Sequence, residues 1–221
     1  MEDPYRMYLV VRRGAFEDLQ TGGVLAGAAA VRCVRRFAED PAYAEAVAQW
    51  RQRPGKVTLR ARGGQWEELL REEDFAYAGD LDGACVLALP PRRRSQRSEL
   101  LARKLQAFAS ELAPAAEVDV QPAPDPGGRV TYIINPSLRM STGKTIAQVA
   151  HAATMSAAGG AVEGWVANGC PGRVVTPTTT KLFDAICRDD AAPLSAKVED
   201  AGLTEVPPGT ITVLAIPPAA T

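Results

Sequence analysis

The sequence predicts an α/β fold of two tandem α/β domains, each a small mixed, mostly parallel sheet flanked by helices. Three observations predict it. Apolar runs of strand length alternate with helical patterns, the signature of α/β layers. Three landmarks recur in the same order in both halves of the chain, which marks an internal repeat. A segment rich in Pro and Gly, Pro114 to Gly128, separates the halves and has linker composition. The resulting boundaries are 1–113, a linker at 114–128, and 129–221. The chain has 221 residues, 46% of them apolar, enough for two small cores.

The landmarks are specific. The first is a short apolar strand, a loop, and a TG-initiated Ala-rich helix: Thr21 to Ala30 reads TGGVLAGAAA, and Thr142 to His151 reads TGKTIAQVAH. The second is a Trp followed by a basic strand, Trp50 before KVTLRA and Trp165 before GRVVTP. The third is a closing strand ending in two prolines, VLALPP at Val86–Pro91 and VLAIPP at Val213–Pro218. In the second half the expected elements are strand 130–135, helix 143–158, strand 173–176, helix 181–188, strand 194–198 and strand 211–216. Ser95–Ala113 reads as one more helix, with Leu101, Leu105, Phe108 and Leu112 on a single stripe.

Composition excludes several classes. No apolar run approaches the roughly 18 residues of a membrane span, and the N-terminus is not a secretory signal. Cys33, Cys85, Cys170 and Cys187 lie far apart without a C-x-x-C pair, so they read as reduced cytosolic thiols and not as a zinc site or disulfide frame. The expected location is cytoplasmic. Net charge is −1 and pI about 6.0, against a large basic nucleic-acid footprint. Local clusters could still supply such a footprint, the Arg92-Arg93-Arg94 run with Arg97 and Arg32 with Arg35 and Arg36, and solvated surface is the bland reading of both.

Chemistry concentrates in the second half. Lys144, Gln148 and His151 fall at i, i+4 and i+7, one face of a helix. Ser141 or Thr142 caps it, and Lys144 adds a mobile cation to an anion-friendly helix start. Aligned by the decamers, the first half carries Gly23, Gly27 and Ala30 at these positions, so the helix does not need the polar trio in order to fold. Gly143-Lys144-Thr145 is not a phosphate loop, because the glycine that G-x-x-x-x-G-K-[ST] requires is Leu138. A second group lies in EDAGLTEVPPGTIT, Glu199 to Thr212. Asp200 closes a strand there, the usual place for a site in an α/β fold. Thr204 and Thr212 flank the Pro207-Pro208-Gly209 turn. Ordinary turn chemistry is the bland alternative for this segment.

Together these segments resemble the archaeal/eukaryotic-type peptidyl-tRNA hydrolase family. Gly143-Lys144 through Ala147-Gln148 to His151-Ala152 is similar to that family's G-K-x-x-A-Q-x-x-H-A helix. Asp200-Ala201-Gly202, Thr204, Pro208-Gly209-Thr210 and Thr212-Val213 resemble its second motif. The resemblance covers about Arg129 to Pro218. Asn135, Ser137 and Leu203 depart from it, standing where the family usually carries Arg, Asp and Arg, and Thr142 stands where Lys is frequent. The departures remove charge from the site.

The resemblance implies hydrolysis of the ester joining a peptide to the tRNA 3′ end, with peptidyl-tRNA as partner, no cofactor and no metal. It implies Asp200 as the group that orients or deprotonates water, Lys144 as ligand of the terminal phosphate or oxyanion, and Thr204 and Thr212 as hydrogen-bond donors to substrate or water. Gln148 and His151 would hold the site's shape, with His151 as general base the second option. It also implies homodimers, so the first half, as a degenerate copy, would stand in for the partner and make the chain an intrachain pseudo-dimer. Near-neutral charge and the lost arginines favour a competing reading, a binder of tRNA or another partner that cleaves nothing. A third reading is an unrelated small-molecule hydrolase on the same scaffold.

Overall fold

The computed structural model describes residues 3–83, 85–159, 163–202 and 205–219. The first half runs β1 (Arg6–Arg12), α1 (Leu19–Phe37), α2 (Ala44–Gln52), β2 (Gly55–Ala61), α3 (Gly63–Glu72), β3 (Ala76–Gly79) and β4 (Cys85–Arg92). A π-turn at Leu100–Lys104 and the short strands β5 (Gln106–Ala107) and β6 (Ala116–Val118) follow. The second half runs β7 (Val130–Ile134), α4 (Thr142–Ala158), α5 (Glu163–Ala167), β8 (Gly172–Pro177), α6 (Thr180–Arg188), β9 (Ala196–Asp200) and β10 (Thr210–Ile216).

Two five-stranded sheets result, ordered β3-β4-β1-β2-β5 and β6-β8-β7-β10-β9. Within each, the first strand pairs in parallel with the strand reached through the crossover helices, β1 with β2 and β7 with β8. It pairs antiparallel with the closing strand, β4 or β10, whose other neighbour, β3 or β9, is also antiparallel. The sheets are therefore mixed, as expected, but parallel pairing does not dominate. In each half the closing strand forms a hairpin with the strand before it, β3 with β4 and β9 with β10, and a hairpin can only pair antiparallel.

The layers follow from which residues each strand buries. β1 is apolar on both faces and sits mid-sheet, as a two-sided strand must. Met7, Leu9 and Val11 face one core, and Tyr8 and Val10 another. In β7, Val130, Tyr132 and Ile134 face that first core and Ile133 the opposite side. The shared core lies between the sheets and holds α1 and α4 side by side. Trp66 and Leu69 of α3 cover the outer face of the first sheet, and Phe183 and Ile186 of α6 that of the second.

Two segments differ from the sequence reading. Ser95–Ala113 is not a helix. After the π-turn the chain becomes extended, pairing Gln106 and Ala107 with Arg60 and Leu59. Phe108 continues the contact, its N–H bonding the Thr58 carbonyl at 3.0 Å. Leu101, Leu105 and Phe108 of the stripe are buried and Leu112 is partly buried, but the open edge of β2 offers backbone partners that a helix would forgo. The Pro/Gly-rich stretch is likewise partly ordered. β6 adds a parallel edge strand to β8, and Ala115 and Val120 are buried.

Candidate functional site

The site gathers where α4 begins and β9 ends. Ser141 is the N-cap of α4 and its hydroxyl accepts the Lys144 N–H at 3.2 Å. One helical turn separates Lys144 from Gln148, so both side chains reach the same neighbour. That neighbour is Asp200. The Lys144 ammonium and the Gln148 side-chain amide both donate to Asp200 Oδ2. The other oxygen, Oδ1, accepts the Gly202 N–H at 2.8 Å. The carboxylate is 7% exposed, and the Lys144 side chain 14%. A buried charge needs such pairing. Of the roughly four lone-pair positions on a carboxylate, these three donors leave room for a water or a substrate hydroxyl.

The second motif folds as it does because of its glycines. Gly202 has φ +72°, and a Cβ there would stand 2.4 Å from the Pro208 nitrogen. Only glycine both turns this way and admits Pro208 so closely. Gly209, φ +79°, donates its N–H to the Asp200 carbonyl at 2.9 Å. The turn is thereby pinned at both ends of its loop. Between Ile211 and Val213 the pairing with β9 slips by one residue. Thr212 sits at this bulge, fully buried, and donates to the Val198 carbonyl at 3.3 Å. In this arrangement its hydroxyl braces the strand that carries Asp200. Thr204 and Leu203 lie outside the described residues.

His151 is one further turn along α4. Burial, then the charges of Lys56 and Lys144, push its pKa down to about 2, so the ring is neutral at physiological pH. It does not join the Asp200 cluster and instead lines a cavity between α1, α2 and α4. Asn135 and Ser137 satisfy each other. Asn135 Oδ1 accepts the Ser137 N–H at 3.0 Å and its hydroxyl at 2.7 Å, while Asn135 Nδ2 donates to the Ile211 carbonyl at 2.8 Å. Among the described residues, no three His, Cys, Asp or Glu side chains converge as metal ligands. Burial raises the thiols of Cys33, Cys85 and Cys170, the latter two to about 11, and holds them protonated.

The two helices correspond in a different register from the one the decamers suggest. Counted from the N-caps Asp18 and Ser141, the residues of α1 that match Lys144, Gln148 and His151 are Thr21, Leu25 and Ala28. Gly23 and Gly27, which the decamer alignment placed there, serve packing instead. A Cβ on Gly23 would lie 2.9 Å from Val174 Cγ2, and one on Gly27 3.0 Å from Ala153 Cβ. They are glycines because α1 lies tight against α4 and β8. None of Thr21, Leu25 and Ala28 carries a charge.

Two contributors were invisible to sequence reasoning. Glu205 accepts the Ser141 N–H at 2.6 Å and its hydroxyl at 2.7 Å, joining the Asp200 loop to the α4 cap. Thr58, from the first half, donates to the Gly143 carbonyl at 2.9 Å. Both contacts bridge distant parts of the chain, and no local pattern encodes them.

A family model described as peptidyl-tRNA hydrolase PTH2 matches residues 129–221. The peptidyl-tRNA hydrolase of Thermococcus sibiricus is 37% identical over 94 residues, covering 39% of this chain and 80% of that protein. That of Thermococcus onnurineus is 37% identical over 95 residues, with coverages of 39% and 80%. A probable peptidyl-tRNA hydrolase 2 of Caenorhabditis elegans is 35% identical over 98 residues, 40% of this chain and 31% of that protein. No solved structure matches significantly.

Proposed function

The chain belongs to the peptidyl-tRNA hydrolase PTH2 family, and from that premise we propose that its Lys144–Asp200 site hydrolyses the ester between a peptide and the tRNA 3′ end. The observation that carries the reading is the convergence of Lys144 and Gln148 on one oxygen of a buried Asp200. Asp200 orients the attacking water and takes its proton. Lys144 carries positive charge beside the ester and stabilises the oxyanion that develops on its carbonyl oxygen. Gln148 fixes the carboxylate, and Thr212 and His151 hold the surrounding scaffold. Thr204 belongs to the same loop and is assigned to substrate hydrogen bonding. The reaction needs no cofactor and no metal in this reading. Its substrate belongs to translation, which places the work in the cytoplasm.

Residues 129–221 form the catalytic unit in this proposal. Residues 1–113 are a degenerate copy joined through 114–128, and the two make an intrachain pseudo-dimer. The shared order and pairing of four strands in each sheet support the duplication, and the seating of α1 against α4 supports the pseudo-dimer.

The test is single-turnover hydrolysis of N-acetyl-leucyl-tRNA by the parent, Lys144→Ala and Asp200→Ala. The parent releases N-acetyl-leucine, and each variant is slower by about 10²-fold or more, the scale for loss of one transition-state donor. Equal rates in all three proteins sink the assignment. One observation favours the second reading, a binder without turnover: Asn135 and Ser137 bond each other and leave that corner uncharged. Retention of tRNA on a filter without release of N-acetyl-leucine identifies it.

A further inference from the structure

We propose that the cavity between α1, α2 and α4 receives an apolar side chain of the peptide while its ester lies at Lys144 and Asp200; this rests on the hydrolase reading above. The cavity measures about 370 Å³, within the range of ligand pockets. Val31 and Val34 of α1, Trp50 and Pro54 at the end of α2, and His151 and Met155 of α4 are among its walls, and the exposed charged side chains of Arg35, Arg51 and Glu163 also line it.

Four features point to this occupant. The first is continuity with the reactive pair. Lys144, Gln148, His151 and Met155 follow i, i+4, i+7 and i+11 on α4, a single stripe that leads from Asp200 to the cavity. Second, the distance suits a peptide. Seven residues of helix span about 10 Å at 1.5 Å each, which an extended peptide covers in about three residues. Third, several polar groups at the walls already have partners, with Arg35 paired to Glu163 at 2.8 Å. Trp50 Nε1 donates to the Gly55 carbonyl at 2.8 Å, and Thr154 donates to the His151 carbonyl at 2.9 Å while accepting from Lys56 Nζ at 3.3 Å. His151, neutral for the reasons given above, puts no charge in the path of an apolar chain. Fourth, Met155 is 37% exposed at this place, one of only two large apolar side chains so exposed among the described residues. Such a thioether adapts to varied partners.

The first half would then complete the substrate site, since Val31, Val34, Trp50 and Pro54 all belong to it. The cavity selects for apolar residues about three positions from the ester. Residues nearer the ester remain at the α4 N-terminus.

The experiment compares kcat/KM for two tetrapeptidyl-tRNAs, with Leu or Asp three residues from the ester, and for N-acetyl-leucyl-tRNA, which is too short to reach the cavity. The parent prefers the Leu peptide by about tenfold, as burial of one leucine supports. In Met155→Asp, and independently in Val34→Trp, the Leu substrate loses that advantage relative to N-acetyl-leucyl-tRNA. Equal cleavage of the two peptides by the parent overturns the cavity proposal and leaves the hydrolase reading standing. If the parent does not cleave N-acetyl-leucyl-tRNA either, the hydrolase reading falls and the cavity proposal falls with it.

Discussion

Glu205 clasps Ser141 through two hydrogen bonds, one from the backbone N–H at 2.6 Å and one from the hydroxyl at 2.7 Å. Ser141 caps the helix that carries Lys144, and Glu205 lies on the loop that follows Asp200. The two halves of the reactive pair are thus tied together by a residue outside it. Glu205→Ala should lower stability by about 1 kcal/mol, the scale of a lost cap, read as a shift in the urea midpoint. It should lower kcat further than that loss of stability accounts for. Glu205→Gln should recover part of both. An unchanged kcat in Glu205→Ala would show that the latch has no part in the site.

Lys144 and Asp200 should behave as a unit. Lys144→Met leaves a buried carboxylate without its cation and costs on the order of 3 kcal/mol, whereas the double variant with Asp200→Asn costs less than the sum of the two singles. Chemical denaturation of the four proteins gives the coupling. Strict additivity would mean that the pair is solvated in solution.

The close approach of α1 and α4 gives a third prediction. Gly27→Val puts a branched side chain where even a Cβ would be 3.0 Å from Ala153, and overpacking of this kind costs about 1–3 kcal/mol. Gly143→Ala is worse placed, because its Cβ would lie 2.5 Å from the Phe108 carbonyl oxygen. Backbone must move there, one residue before Lys144, so activity should fall together with stability. Gly63→Ala, with open space around it, should be neutral or stabilising. Thermal melts of the three variants test this ordering.

His151 is the sole histidine of the chain, so its ring NMR signals are unambiguous. They should stay flat from pH 8 to pH 4, because the folded pKa is pushed down to about 2. The unfolded chain binds this proton near pH 6.5 and the folded protein does not. Stability from this group is therefore fully present above about pH 6.5 and falls as the pH drops through and below that value. His151→Gln should flatten that part of the acid-side slope. A ring that titrates near pH 6.5 in the folded protein contradicts the prediction.

Local patterns made much of this legible. The apolar runs at Tyr8–Val11 and Tyr132–Ile134 mark central strands because both of their faces are buried. The i, i+4, i+7 spacing of Lys144, Gln148 and His151 places them on one face, and the Asp200-Ala201-Gly202 and Pro208-Gly209 turns follow from glycine's backbone freedom. Other features stayed hidden for a common reason. The extended course of Gln106–Phe108 depends on the unpaired edge of β2, far away in sequence. The roles of Thr58 and Glu205 depend on contacts across the chain. The decamer alignment paired Gly23 with Lys144 because it matched letters. The helix caps correct this, since a cap fixes where each residue points.

The core shared by α1 and α4 has a consequence for how the molecule comes apart. Their apolar faces lie in one cluster together with Met7, Leu9, Tyr132 and Val213, so neither half has a private interior on that side. Severing the chain between Ala123 and Asp125 would expose two helix faces that no solvent contact can satisfy. The fragments should associate or aggregate and not persist as free monomers. Despite its two sheets, the intact protein should melt in a single cooperative step, with the silent helix acting as the lining against which the reactive one is held straight.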